Sequence, residues 1–284
     1  MFIVYSLSAA LLFALSAHVQ RLGLKGTDPA TGALFSVMAS AGLLWLIAPF
    51  VIDWSWFSHP TLWLFAAIGV LFPAAGQRLQ ILAVQSVGPS LTTSLASLTP
   101  LFAVSAGVIW LGEALNLQAA IGIGFTIAGL FLASYVPGKA GRGWPLVALL
   151  FPLGAALVRG IAQPLLKLGF ETLPSPFFAI LVGSTVSVMV LGVLSLWQLR
   201  QGTVKVGPSG RFFAMSGVLN GLGILSVNLA LFSGSITSVS PLVATTPIWV
   251  ILLAVFVFRE ARPTPRHMLV ALMVVIGCGL ILTR

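Results

Sequence analysis

The sequence predicts an all-α polytopic membrane protein with ten transmembrane helices, arranged as two inverted repeats of five helices each. Three observations lead to this prediction. Hydrophobic residues make up 58% of the 284 residues and charged residues only 7%, whereas about a quarter of the residues of a soluble domain are charged. Apolar stretches of the roughly 20 residues that cross a bilayer recur along the chain. Finally, the two halves of the sequence align with each other at an offset of 147 residues.

Charged residues and Pro or Gly breaks divide the chain into ten predicted spans. Each span must form a helix, because hydrocarbon offers its backbone no hydrogen-bond partners. The break between the third and fourth spans rests on Gly88 and Pro89 alone, so nine helices is the alternative count. The chain enters the first span without a basic segment or cleavage site, which predicts that this span is retained. The predicted spans are residues 2–24, 29–52, 61–84, 88–111, 117–136, 144–168, 175–199, 209–232, 236–258 and 265–283.

The internal repeat matches proline, glycine and acidic residues as well as apolar ones, which chance similarity between apolar helices would not do. Because five crossings reverse the side on which the second half begins, the repeat is inverted. We expect residues 1–138 and 139–284 to form the two repeats, with a substrate site between them. Duplication for packing alone, as in a channel or scaffold, is the alternative. The aligned pairs include Pro29 with Pro176, Gly76 with Gly223, Thr99 with Thr246, Pro100 with Pro247, and Glu113 with Glu260.

The net charge of +9 would suggest a nucleic-acid partner in a soluble protein. Here ten of the fourteen Lys and Arg residues fall on one side of the predicted topology. The positive-inside rule makes that side cytoplasmic and places both termini outside. The charge therefore needs no nucleic acid. The single Cys278 excludes an intrachain disulfide and a multi-cysteine metal cluster, and we expect no metal or other cofactor.

Arg159 is the strongest candidate for a substrate contact, because it lies about ten residues inside the sixth predicted span. An arginine at the centre of a membrane helix costs at least about 2.5 to 3.5 kcal/mol and usually faces the protein interior or a water-filled cavity. Gln163 follows one turn later on the same helical face. Pro164 removes a backbone donor beside it. The alternative is an arginine that is capped only by helix carbonyls.

Five further polar residues within the predicted spans are candidate substrate contacts. Arg78 and its neighbour Gln77 lie in the third span, although Arg78 could instead extend to the interface. His18 is a candidate proton relay, because imidazole titrates near neutral pH, or a hydrogen-bonding contact between helices. The remaining two, Asn220 and Asn228 in the eighth span, suit either a substrate or a neighbouring helix.

The acidic residues are informative because none lies within a predicted span. A proton-coupled pump for cationic drugs needs a buried carboxylate. An interior with arginines and amides instead favours carboxylate, phosphate or zwitterionic groups. We therefore expect an amino acid or another anionic or zwitterionic metabolite as the substrate. The five acidic residues are Asp28, Asp53, Glu113, Glu171 and Glu260.

Residues 83–129 resemble the EamA module of the drug/metabolite transporter superfamily. The resemblance rests on Ala-Val-Gln-Ser-Val-Gly at 83–88, Ser-Leu-Thr-Pro-Leu-Phe at 97–102 and Trp-Leu-Gly-Glu-Ala at 110–114. The second half repeats the pattern more loosely, with Arg259 where the first half has Gly112. The resemblance implies a monomeric ten-helix fold with a central cavity lined mainly by helices 1, 3, 4, 6, 8 and 9. The inverted repeat predicts transport by alternating access, and we expect the membrane to be a bacterial inner membrane.

The predicted function is therefore export of a small polar metabolite, with the lipid bilayer and the substrate as partners. A flippase for a phosphorylated lipid carrier is one alternative, because basic residues between helices also suit a lipid head group. A broad-specificity drug exporter is another. An enzyme is not expected, because the spans contain no Ser/His/Asp set, carboxylate pair or His-x-x-x-His spacing.

Overall fold

The structure is a computed structural model that describes residues 1–23, 29–87, 92, 95–96, 98–134, 146–200, 210–258 and 265–283. Within these ranges the regular elements are all helices. The first half contains α1 (Phe2–Gly23), α2 (Pro29–Val51), α3 (Thr61–Gly69), α4 (Gly76–Val87), α5 (Thr99–Leu111) and α6 (Leu117–Ser134). The second half contains α7 (Leu150–Thr172), α8 (Pro176–Arg200), α9 (Gly210–Ser233), α10 (Ile236–Val243), α11 (Thr246–Leu252) and α12 (Pro265–Leu282).

Local sequence explains where several helices begin and end. Proline opens α2, α8 and α12, where its missing N–H costs nothing because first-turn donors have no partner within the helix. Gly112 ends α5 in the left-handed region, at φ 63° and ψ 25°, which is the conformation that glycine adopts without strain. Short 3₁₀ turns at Trp54–Ser58 and Leu146–Leu149 precede α3 and α7.

The third predicted span is interrupted near its middle. A π-helical segment, Val70–Ala75, separates α3 from α4, and Phe72 within it is extended, with φ −146° and ψ 126°. Pro73 has no N–H to donate to the carbonyl of Gly69, four residues earlier. The hydroxyl of Ser187 in α8 donates to that carbonyl at 2.7 Å and shares its hydrogen with the carbonyl of Gly183 at 2.8 Å. The break is thus satisfied by a neighbouring helix, as membrane proteins require.

The ninth predicted span is also interrupted. A turn at residues 244–245 separates α10 from α11, and a second π-helical segment, Leu253–Val257, follows α11. Pro247 frees the carbonyl of Val243, and the hydroxyl of Thr246 donates to it at 2.8 Å. The aligned residues of the first half behave alike, because Thr99 donates to the carbonyl of Ala96 at 2.8 Å. In each half the threonine before the proline thus donates to the carbonyl that the proline leaves without a backbone donor.

Small residues bring the helices into close contact. A Cβ placed on Gly69 in α3 would lie 2.5 Å from the carbonyl oxygen of Gly183 in α8. A Cβ on Gly217 in α9 would overlap the carbonyl oxygen of Ser36 in α2. Only small residues allow backbones to approach in this way, which is a common form of packing between membrane helices.

The outer surface identifies an integral membrane protein. Seven of the described helices are long and apolar enough to cross a bilayer, and shorter apolar helices cover 99–111, 117–132 and 272–282. Large apolar side chains face outward, including Phe50 and Trp63, which are 88% and 74% exposed. Exposed apolar surface of this kind marks contact with lipid. The fourth predicted span is described mainly in its second half, as α5, so the count of ten helices stays a prediction.

Candidate functional site

Arg159 lies near the middle of α7, where it meets the interrupted third span. A Cβ placed on Gly76, the first residue of α4, would lie 3.8 Å from Cγ of Arg159. Gly76 and the aliphatic part of Arg159 are therefore neighbours where α4 packs on α7. The guanidinium carbon lies 5.8 Å from the centre of the Phe72 ring, close enough for a cation–π attraction. The break in the helix thus places the Phe72 ring against the guanidinium of Arg159.

The side chain of Arg159 is half-buried, and one nitrogen of its guanidinium lacks a hydrogen bond. Its Nε is inaccessible to solvent and has no hydrogen-bond partner among the described residues. Buried polar atoms are almost always hydrogen-bonded in native proteins, so an orphaned donor on a charged group needs an explanation. A ligand or water that is not part of the polypeptide is the simplest one.

Two amide oxygens on the helices that meet at Arg159 also lack a hydrogen-bond partner. Oε1 of Gln163 and Oε1 of Gln80 are buried and have no hydrogen-bond partner in the described part of the chain. Gln163 lies one turn after Arg159 on α7, and Gln80 lies one turn after Gly76 on α4. The two helices that meet at Arg159 thus each carry an unsatisfied amide. The prediction from sequence included Gln163 but did not single out Gln80 or Phe72.

The other two predicted residues of the third span, Arg78 and Gln77, are not shown to contact Arg159. Arg78 is half-buried two residues after Gly76, which is about 200° around the helix axis. It therefore does not share the side of α4 that meets Arg159. The side chain of Gln77 lies outside the described part of the structure.

The two asparagines of α9 differ in their surroundings. Asn228 is buried, and its Nδ2 donates to the carbonyl of Pro176 in α8 at 3.2 Å. This bond is the contact with a neighbouring helix that the sequence offered as one of two roles. Asn220 is half-buried two turns earlier in α9. Oδ1 of Asn228 is a further buried oxygen without a partner among the described residues.

His18 connects α1 to the second half of the ninth span. It is only 5% exposed, its Nε2 lies 3.1 Å from the carbonyl oxygen of Val250, and its ring stacks on Phe258 at 4.5 Å between centres. A hydrogen bond to a carbonyl requires that Nε2 carries a hydrogen and donates it. The contact fits the role of a link between helices, and the role in proton transfer stays a prediction.

The groups around Arg159 are chemically suited to recognising an anion. A guanidinium presents several donors in a planar fork that matches a carboxylate or phosphate. The amide oxygens of Gln163 and Gln80 can accept from an ammonium or hydroxyl group. Among the described residues no group of three His, Cys, Asp or Glu side chains could hold a metal ion.

Comparisons with known proteins agree with this architecture. Residues 1–135 and 146–283 each match the model of the EamA-like transporter family. A solved structure described only as the crystal structure of a protein is similar to this chain with a TM-score of 0.82 and 16% sequence identity. The match covers 98% of this chain and 95% of that chain, and at this identity it shows the fold alone. No curated protein matches the sequence. With both halves matched, the chain belongs to the EamA-like transporter family and is a membrane transporter of the drug/metabolite type.

Proposed function

We propose that this protein is a secondary transporter that exports a small polar metabolite with a carboxylate group across the cytoplasmic membrane by alternating access. An amino acid, or another anionic or zwitterionic metabolite, is the proposed substrate. The observation that carries the proposal is the buried Nε of Arg159, which has no partner among the described residues. The substrate carboxylate would supply the missing acceptor.

The cost of burying this charge supports a functional role. A buried charge without a partner is strongly unfavourable, and intramembrane arginines usually face a cavity or a substrate pathway. The interrupted span beside it supports the same role, because transporters place broken helices at their substrate sites near the middle of the membrane. Phe72, at the break, lies directly against Arg159.

Alternating access needs two halves that can exchange roles, and two pairs of contacts support an inverted repeat. The contact of Gly69 with Gly183 has a counterpart in the contact of Gly217 with Ser36. An offset of 147 residues carries Gly183 onto Ser36 and brings Gly69 within one residue of Gly217. Both contacts join a helix of one half to a helix of the other. A pseudo-two-fold axis in the membrane plane would relate them.

The distribution of acidic residues supports an anionic or zwitterionic substrate over a cationic drug. Three of the five acidic residues are described, and Asp53, Glu113 and Glu171 all lie at helix ends or in connections. Asp28 and Glu260 lie outside the described residues. A carboxylate near the middle of a described helix, which a cation would require, is therefore absent from this part of the chain.

The substrate can be identified by its effect on thermal stability. A ligand at 100 times its Kd stabilises the folded protein by about 2.7 kcal/mol. Purified protein would be heated with amino acids, with their decarboxylated amines and with dicarboxylic acids. The proposal expects stabilisation by carboxylates and none by the matched amines. Stabilisation by amines alone would contradict it.

Flux in proteoliposomes then tests whether Arg159 binds the substrate. With the carboxylate found in the thermal screen, Arg159→Gln should raise KM about ten- to a hundredfold, because a hydrogen bond to a charged group contributes roughly 1.5 to 3 kcal/mol. Arg211→Gln is the matched control, because Arg211 is exposed and its guanidinium also lies over a ring, 5.1 Å from the centre of Phe212. Unchanged kinetics in the folded Arg159→Gln protein would remove Arg159 from the site.

A further inference from the structure

A charged cluster joins the two halves of the chain at one end of the helices. Glu113 follows α5 immediately, after the left-handed turn at Gly112. Its carboxylate reaches the start of α10 and the side chain of Lys167 near the end of α7. The positive-inside rule predicts that this end of the molecule is external. The site at Arg159 lies two turns of α7 away from Lys167.

The carboxylate of Glu113 is fully engaged. Oε1 accepts from the backbone N–H of Ile236 and from Nζ of Lys167, both at 2.7 Å, and Oε2 accepts from the N–H of Thr237 at 2.9 Å. Nζ of Lys167 also donates to the carbonyl of Gly234 at 3.1 Å. The first N–H groups of a helix have no partner within the helix and attract negative charge. Glu113 therefore fixes the first turn of α10 to the ends of α5 and α7.

This contact is shielded from solvent. The side chain of Glu113 is 8% exposed and that of Lys167 is 27% exposed. Burial alone raises the pKa of Glu113, but the hydrogen bonds from Lys167, Thr237 and Ile236 and the charge of Lys167 outweigh it, so the net pKa lies below the ordinary value of 4.5. The carboxylate is therefore ionised at neutral pH.

The packing around the cluster closes this end of the molecule. Every residue from Ile236 to Leu242 is buried. A Cβ placed on Gly107 in α5 would lie 3.3 Å from Cβ of Ile236, and a Cβ on Gly234 would lie 2.9 Å from Cβ of Phe2 in α1. Helices α1, α5, α7 and α10 thus converge at this end in close contact.

The corresponding helices at the opposite end are packed less tightly. An offset of 147 residues carries Thr99–Leu111 onto residues 246–258. The first of these stretches buries Pro100, Ala103, Val104, Ala106 and Gly107, whereas α11 and the π-helical segment after it bury no residue. Two equivalent stretches thus have different surroundings. That difference is expected of a transporter that is closed at one end and more open at the other.

We propose that Glu113 and Lys167 form a latch, defined by these two side chains and the first turn of α10, that keeps one end of the transport path closed and must open in every cycle. This inference rests on the proposed alternating-access function. A helix cap with no role in transport is the competing explanation, and it would stabilise the fold without biasing access from either side.

Cysteine accessibility separates these explanations. In a Cys278→Ala background, Gln163→Cys reports access to α7 between Arg159 and the latch. The reagent is a membrane-impermeant maleimide, applied to right-side-out or inverted vesicles. Glu113→Gln should raise the labelling rate from the latch end by on the order of tenfold, because an ionic hydrogen bond that stabilises the closed state is lost. Labelling from the opposite end should not rise.

The matched control is Glu171→Gln, which removes an exposed carboxylate one turn beyond Lys167 on the same helix. Labelling in this variant should equal that of the parent protein. A rise from both ends in Glu113→Gln would indicate a general loss of folding. That result, or an unchanged rate, would overturn the latch.

A cross-link between α5 and α10 tests whether these helices must separate at the closed end during transport. The 3.3 Å between the position of a Cβ on Gly107 and Cβ of Ile236 is close to the roughly 3.5 to 4.5 Å that a disulfide requires. In the Cys278→Ala background, Gly107→Cys with Ile236→Cys should cross-link on oxidation and lose flux, and reduction should restore it. Full flux in the cross-linked protein would overturn the latch and leave the proposed function intact. If the parent protein transports none of the tested carboxylates, the proposed function fails, while the labelling experiment still tests the latch.

Discussion

Single residues carry the chemistry of this protein, and their positions were predicted to different degrees. Arg159 was predicted because a charge in the middle of an apolar span stands out locally. The partners of Glu113 were not predicted, because Lys167 lies 54 residues away in sequence and meets it only through helix packing. Gln80 was not singled out for a different reason, because an amide within a span can face either a cavity or another helix.

The pH dependence of stability tests the environment of Glu113. Its pKa in the folded protein is lowered, with Lys167 as the charged group packed against it. Ionisation therefore stabilises the fold above the ordinary value of 4.5, and this contribution is lost as the pH falls through the lowered pKa. The parent protein should unfold at a higher temperature than Glu113→Gln at pH 7. We expect the difference to shrink below pH 4.5, where protonated Glu resembles Gln. A difference independent of pH would contradict an ionised Glu113.

Whole helices were predicted more accurately than their interruptions. The predicted spans 29–52 and 175–199 agree with Pro29–Val51 and Pro176–Arg200, because apolar length and an initial proline are local signals. The break at Phe72 was not predicted, although Pro73 was visible, because membrane helices often tolerate proline. Whether a proline opens the helix depends on a neighbour that satisfies the freed carbonyl, here Ser187.

The contact between α3 and α8 predicts an effect of side-chain volume. A Cβ on Gly69 would lie 2.5 Å from the carbonyl oxygen and 2.8 Å from Cα of Gly183, so backbone rather than a flexible side chain would have to move. Gly69→Ala should therefore destabilise the protein by about 1 to 3 kcal/mol. Gly42→Ala in α2 is the control, because a Cβ there meets nothing within 4 Å. Thermal unfolding in detergent measures both, and equal midpoints would show that α3 and α8 can separate at little cost.

At the scale of the whole molecule, the repeat predicts an opposite partner for the latch. Glu113 aligns with Glu260, which lies outside the described residues, and the proposed inversion of the repeat would place the two at opposite ends. If each carboxylate stabilises closure of its own end, Glu260→Gln should favour the state that is open opposite to Glu113. An interaction that is lost from one state shifts the population towards the other.

The labelling rate of the same cysteine measures this shift in population. With Gln163→Cys in the Cys278→Ala background, Glu260→Gln should lower labelling from the latch end, whereas Glu113→Gln should raise it. We expect the effect of Glu260→Gln to be the smaller one, because Arg259 stands where the first half has Gly112 and a side chain disfavours the left-handed turn that directs Glu113. Glu171→Gln again serves as the control. Changes of the same sign in both variants would contradict an inverted pair, since two carboxylates that close the same end cannot oppose each other.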